Sequence, residues 1–260
     1  MKNSSVVFSS LYVQIKQTYA RNMYRFCLLV SPLMSTILLA EMYRNSEHDN
    51  FTAYIVLGAG LMSLWGCICF SSAGDINRER YSNTLSLIFV SPSSFQAILF
   101  GKIVGNTILS LFSIVLTAVY SLVLYRQPIV IENIPMFLVS FLITIISFMT
   151  FSIFVAYILV LSRRTEILMN CLDIPLTLIC GFVFPIEVLP VWSQYIAKAF
   201  PMTWSIKLLR QSIISPKVDS DFFIIMAYSI GIIIVYALLS NLLYKLIARR
   251  VRVNASLEMA

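Results

Sequence analysis

The chain has 260 residues, of which 59% are hydrophobic and 12% charged, with a mean hydropathy of +0.85 and a formal net charge of +7. Soluble domains carry roughly a quarter charged residues, so a soluble globular protein is excluded; disorder is excluded with it, because its signature is low hydrophobicity and dense like charge. What remains is an all-α integral membrane protein, since hydrocarbon admits only spans whose backbone hydrogen bonds are satisfied internally and the apolar segments are too long for barrel strands.

In chain order, residues 1–25 read as an amphipathic cytoplasmic interface helix. Over residues 6–26, Phe8, Leu11, Tyr12, Ile15, Tyr19, Met23 and Phe26 recur at three- and four-residue spacings, while Gln14, Gln17, Arg21 and Arg25 take the other face. Two roles fit this segment: a topology anchor, or a lever that a cytoplasmic partner pushes. It is not read as a cleavable signal, because no small-residue cleavage site follows the first apolar run.

Residues 26–246 then carry six apolar segments, at about 26–42, 52–73, 98–124, 136–161, 167–184 and 222–246, and residues 247–260 form a basic cytoplasmic tail. Most segments are long enough to cross a core of roughly 30 Å. The fifth is the weakest, being short and containing Asp173 and Pro175. An even number of spans places both termini on one side. With the N-terminus inside, thirteen Lys and Arg are cytoplasmic and six external, a positive-inside bias. The predicted location is therefore the cell membrane, multi-pass, with both termini cytoplasmic. The charge reports topology and contact with the lipid bilayer's anionic headgroups, and a nucleic-acid partner is not expected.

The loops at 44–50 and 126–133 are short. The two long connections, 74–97 on the cytoplasmic side and 185–221 outside, are the candidates for function. The first opens with Asp75, Arg78, Glu79 and Arg80, continues through Thr84 and Leu85, and stops at Ser91-Pro92, where the proline biases its predecessor away from helix. In the second, Pro185, Pro190 and Pro201 divide two short amphipathic pieces, about 190–199 and 202–213. Trp192 and Trp204 suit the headgroup level, and such broken helices also fit protein-lined space at membrane depth.

No catalytic residue and no metal site is expected. No G-x-x-x-x-G-K-[ST] loop occurs, and Gly101-Lys102 lacks the upstream glycine. His48, the single histidine, cannot alone build a zinc site or a Ser-His dyad. Asp173 is the one acid well inside a span, a position that is costly unless paired or wet. It reads either as a pathway or gating residue or as an interhelical hydrogen bond, with Asn170 a possible partner. Gly101-x-x-x-Gly105 allows a close helix approach, expected within the chain rather than at a dimer seam.

Taken together, Arg78-Glu79-Arg80, Thr84-Leu85, Ser91-Pro92, Gly101-Lys102, Gly181, Phe184-Pro185, Leu189-Pro190, Trp192, Pro201, Thr203 and Leu209-Arg210 resemble, in order and spacing, the membrane (permease) subunit of ABC-2 type ABC transporters. Asn83 stands where that family often has glycine, and Ser86 where it often has glutamate. The resemblance implies a six-span domain that pairs with a second membrane subunit, as homo- or heterodimer, and with two cytoplasmic ABC ATPase subunits. ATP and Mg would be bound on those partners, with no cofactor on this chain. It implies that the N-terminal helix and Arg78, Glu79, Arg80, Thr84, Leu85, Ser91 and Pro92 couple to the ATPase, while Pro185, Pro190, Trp192, Pro201, Trp204 and Arg210 form an external re-entrant cap. The expected activity is export of an amphipathic cargo (drug, antibiotic, peptide, lipid or lipid-linked glycan). Two rivals stand beside it: a proton- or ion-coupled carrier using Asp173, and a non-transporting immunity or scaffold protein.

Overall fold

The computed structural model describes residues 3–44, 51–82, 84, 88, 93–126, 131, 133–162, 165–214 and 220–254. Among the described residues the chain is helical without strands. The helices are α1 (Asn3–Tyr19), α2 (Asn22–Tyr43), α3 (Phe51–Tyr81), α4 (Phe95–Tyr125), α5 (Ile134–Leu161), α6 (Thr165–Ile179), α7 (Val191–Lys198), α8 (Pro201–Ile214) and α9 (Ser220–Asn254), with a 3-10 turn at Ile186–Val188 before α7.

Among the described residues, five helices are long and apolar enough to cross a membrane: α2, α3 from Tyr54, α4, α5, and α9 as far as Arg249. The fifth expected span, 167–184, is not a full-length helix among the described residues. Its helical part, α6, has 15 residues with Pro175 inside it, a rise of about 22 Å. The chain then turns at Gly181, whose φ of +86° lies in the left-handed region where a side chain is disfavoured. Among the described residues the architecture is therefore five helices of spanning length and one shorter apolar helix that ends in a turn.

The amphipathic segment is also shorter than its periodicity suggested. It ends at Tyr19, Arg21 is extended, and Met23 and Phe26 belong to α2. At the other end α9 continues past residue 246 to Asn254. The pieces expected at 190–199 and 202–213 correspond closely to α7 and α8.

Packing explains why α3 lies at the centre. Trp65 on α3 meets Phe148 and Phe151 of α5 at ring distances of 6.0 and 5.7 Å, and Phe148 meets Phe182 at 5.6 Å. Around this aromatic core the helices turn small hydroxylic faces inward, Ser110, Ser113, Thr117 and Ser121 on α4 and Ser140, Thr144, Ser147 and Ser152 on α5. Several of these hydroxyls donate to carbonyls of their own helix, such as Thr117 to Ser113 at 2.8 Å and Ser140 to Met136 at 2.8 Å. In lipid this pattern serves association, because small residues allow close backbone approach and leave the large apolar side chains to face the hydrocarbon.

The Gly101-x-x-x-Gly105 pair has its partner inside the chain. A Cβ on Gly101 would lie 2.7 Å from the Val7 carbonyl oxygen, and one on Gly105 would lie 3.2 Å from the Leu11 carbonyl oxygen. The glycines thus seat α1 against α4, and α1 turns Phe8, Tyr12 and Tyr19 outward.

Candidate functional site

Two polar clusters lie at opposite ends of α3, separated by about 36 Å along the helix at 1.5 Å per residue from Tyr54 to Arg78.

The first cluster gathers on Asp75, 3% exposed. Its Oδ1 accepts from Arg21 Nη2 at 2.6 Å and Arg78 Nη2 at 2.9 Å. Its Oδ2 accepts from Asn106 Nδ2 at 3.2 Å and from the Gln14 amide. Gln14 Nε2 also approaches Thr18 Oγ1 at 2.8 Å and Asn106 Oδ1 at 2.9 Å. Gln14 and Thr18, one turn apart on α1, face inward, and Arg21 in the extended link to α2 joins them. One carboxylate therefore ties α1, α3 and α4 together, and the two arginines offset the cost of burying its charge.

The coupling residues expected from the sequence surround this knot. Arg78 is held by Asp75. Glu79 pairs with Lys102 at the start of α4. Arg80 turns to the end of α5 and donates to the carbonyl oxygens of Val160 and Ser162, which that helix end cannot satisfy internally. The Thr84 hydroxyl donates to the Glu79 carbonyl at 3.3 Å. Leu85, Ser91 and Pro92 lie outside the described residues. Between α1 and the end of α3 runs a groove of about 570 Å³, lined among others by Ser9, Val13, Arg78, Glu79, Thr84 and Lys102.

Asp75, Gln14, Asn106 and Lys102 were not singled out from sequence as site residues. A signal existed: Gln14, Thr18 and Arg21 repeat opposite the aromatic face of α1, and Asn106 interrupts an apolar run.

The second cluster lies where the chain turns between α6 and α8. Pro185 precedes the 3-10 turn, Pro190 precedes α7, and Pro201 is the first residue of α8, positions where a missing N–H costs nothing. Trp204 Nε1 donates to the Lys198 carbonyl at 2.9 Å, and its ring stacks on Tyr228 at 5.0 Å. Thr203 Oγ1 donates to the Ala197 carbonyl at 2.6 Å. These contacts fold α7 and α8 against one another, while Trp192 projects outward, 65% exposed.

Arg210 is 7% exposed. Its Nη2 donates to the Phe182 carbonyl at 2.9 Å, and its guanidinium lies 5.2 Å from the Tyr54 ring centroid. Gly58 permits this arrangement, since a Cβ there would come within 2.8 Å of the Phe182 carbonyl oxygen. Tyr43 donates its hydroxyl to the next carbonyl, Val183, at 2.8 Å. Lys207 Nζ pairs with Glu187 Oε1 at 2.8 Å. Burial, the largest single influence, would raise the Glu187 carboxyl, but the hydrogen bond and charge of Lys207, a backbone hydrogen bond and the charge of Arg210 together outweigh it and hold the carboxyl below its ordinary value. Arg210, Lys207 and Glu187 line one cavity of about 420 Å³.

Asp173 belongs to neither cluster. It sits on α6, its carbonyl accepts from the Thr177 hydroxyl at 2.7 Å, and its Oδ1 is buried without a hydrogen-bond partner. Among the described residues no group of three or more His, Cys, Asp or Glu is placed to hold a metal ion.

A profile of the protein family described as ABC-2 type transporter matches residues 6–214, from α1 through α8, which takes in the Asp75 cluster and the second cluster apart from its α9 residues. Among curated proteins, none matches the chain.

Proposed function

The chain belongs to the ABC-2 type transporter family, and from that premise we propose that it is the membrane subunit of an ATP-driven exporter. It works with two cytoplasmic ABC ATPase subunits, which bind ATP and Mg, and with a second membrane subunit across the translocation pathway. Both termini face the cytoplasm, the membrane is the cell membrane, and the cargo is an amphipathic molecule.

The observation that carries this reading is the groove beside the Asp75 knot. It opens between the amphipathic helix and the end of α3, two elements joined through the same carboxylate. A partner seated there and moving by a few ångströms would displace α1 and α3 together, because the knot gives neither a free slip plane. Lys102–Glu79 carries the same motion to α4 and Arg80 carries it to α5. Such rigid coupling lets a cytoplasmic ATPase shift several spans and open a path beside them. The proline-broken α7 and α8 close the far end of that path.

The test is co-expression with an ABC ATPase. Val13→Glu and Ser9→Glu place charge in the groove without removing a member of the knot, and charge reversal at Arg78 and Glu79 removes the pairs as well. Each is expected to abolish co-purification and cargo-stimulated ATPase activity. Failure of the wild type to form a complex, or full coupling in all variants, would end this account.

A second reading, a proton- or ion-coupled carrier, rests on the buried Oδ1 of Asp173. It requires gradient-driven transport by the chain alone and its loss in Asp173→Asn.

A further inference from the structure

We propose that the cavity between the Gly181 turn, α8 and the start of α9 binds the phosphodiester group of an amphipath, with Arg210 as the anion-binding side chain.

The first argument is an unspent donor. Arg210 carries five N–H donors in a fixed fork. One reaches the Phe182 carbonyl, while Nε is buried without a hydrogen-bond partner. Holding the turn at Phe182 accounts for the first contact and leaves the second costly. A doubly coordinating oxyanion is the ligand that this fork geometry matches.

Charge supplies the second argument. Among the described residues no carboxylate stands within ion-pair distance of Arg210, and Glu187, which lines the same cavity, is already paired with Lys207. Two buried or half-buried cations thus share one carboxylate. Asp221, the remaining acid in the lining, sits in the first turn of α9, where the helix N-terminus offsets its charge. The deep end of the cavity therefore favours a monoanion.

The third argument concerns the rest of the ligand. Gln211 Oε1 is buried and unpartnered, an acceptor for a hydroxyl such as those of glycerol or a sugar. Ile206, Ile224 and Ile225 supply apolar wall. The cavity lies between the turn that ends α6 and the first turn of α9, and its lining residue Thr203 adjoins Trp204 in the chain, a residue type that settles where phosphodiesters meet acyl chains. A bilayer phospholipid and a phosphorylated cargo present this same chemistry. Placement of the site on the release side rests on the exporter reading; the site itself does not.

The experiment uses the purified full chain in neutral detergent, without an ATPase, titrated calorimetrically with dihexanoyl phosphatidylglycerol, its deacylated phosphodiester glycerophosphoglycerol and uncharged dihexanoylglycerol. Saturable binding of the first, at least tenfold tighter than of the uncharged amphipath, is expected. Equal affinity for glycerophosphoglycerol assigns the site to a free phosphodiester, and tighter binding of the lipid assigns it to a headgroup. Arg210→Lys should weaken binding at least tenfold. Glu187→Gln should tighten it several-fold, because Lys207 and Arg210 then share no carboxylate, and this gain cannot come from misfolding. Equal binding of the uncharged amphipath, no binding of any probe, or no response to either substitution overturns the proposal. Since no ATPase is present, that failure would leave the coupling groove standing, and loss of ATPase coupling would leave this site standing.

Discussion

Asp75→Ala is the substitution that the packing makes most informative. The carboxylate is 3% exposed and accepts from four side chains on three elements. A hydrogen bond to a charged group contributes about 1.5–3 kcal/mol and a neutral donor left buried costs about 1–3 kcal/mol. The Arg21 side chain is 29% exposed, so its share is taken near the middle of that range, about 2 kcal/mol. The Arg78 side chain is 40% exposed, and water would replace most of its partner, leaving under about 1 kcal/mol. Gln14 and Asn106 add about 1 kcal/mol each, for a loss of about 4 kcal/mol. The change in unfolding free energy in mixed detergent micelles reads this loss, and alkylation of a cysteine placed at Ser10 reports release of α1. In a double-mutant cycle with Gln14→Ala the coupling is expected to be about 1 kcal/mol. A loss below about 1 kcal/mol, or strict additivity with Gln14→Ala, would refute the view that Asp75 ties α1 to the spans.

Two further outcomes follow from local geometry. Gly101→Ala forces a methyl to 2.7 Å from the Val7 carbonyl and should cost about 1–3 kcal/mol and increase alkylation of α1, whereas Gly66→Ala, with nothing within 4 Å of its added carbon, should leave both unchanged. The Glu187 carboxyl is held below its ordinary value by Lys207, so its contribution is complete above the unfolded carboxylate range and is lost as pH falls through the folded value; thermal stability should therefore decline more steeply below about pH 4 in the wild type than in Glu187→Gln, measured by intrinsic fluorescence.

The far cluster shows how a polar end is built within an apolar bundle. Phe182 and Val183 leave helix and expose consecutive carbonyls, and the chain satisfies them from outside the turn, with Arg210 of α8 and Tyr43 of α2. Irregular backbone at the end of a span persists only with such partners. Arg210, which completes the turn, also walls the cavity together with Tyr54 of α3 and Ile224 of α9, so its shape is set by three separate helices.

Much of the architecture was legible in the residue pattern. Composition alone required helical spans, and the long apolar runs marked α2, α3, α4, α5 and α9, because twenty or so apolar residues have no other soluble or membrane solution. The prolines at 185, 190 and 201 marked the breaks around α7 and α8, since each removes a donor that only a helix start can spare. Hydropathy could not separate α6 from a span, because Phe182, Val183 and Phe184 are as apolar as the helix before them. The left-handed Gly181 and the waiting partners Arg210 and Tyr43 decide that the chain turns there. Charge order likewise drew attention to Arg78, Glu79 and Arg80 but not to their separate partners, Asp75, Lys102 and the end of α5. Asp75 and Arg78 are one helical turn apart, but the pairings of Glu79 and Arg80 join residues tens of positions apart, and only the packing of α1 onto α4 through Gly101 and Gly105 brings Gln14, Asp75 and Asn106 to one point.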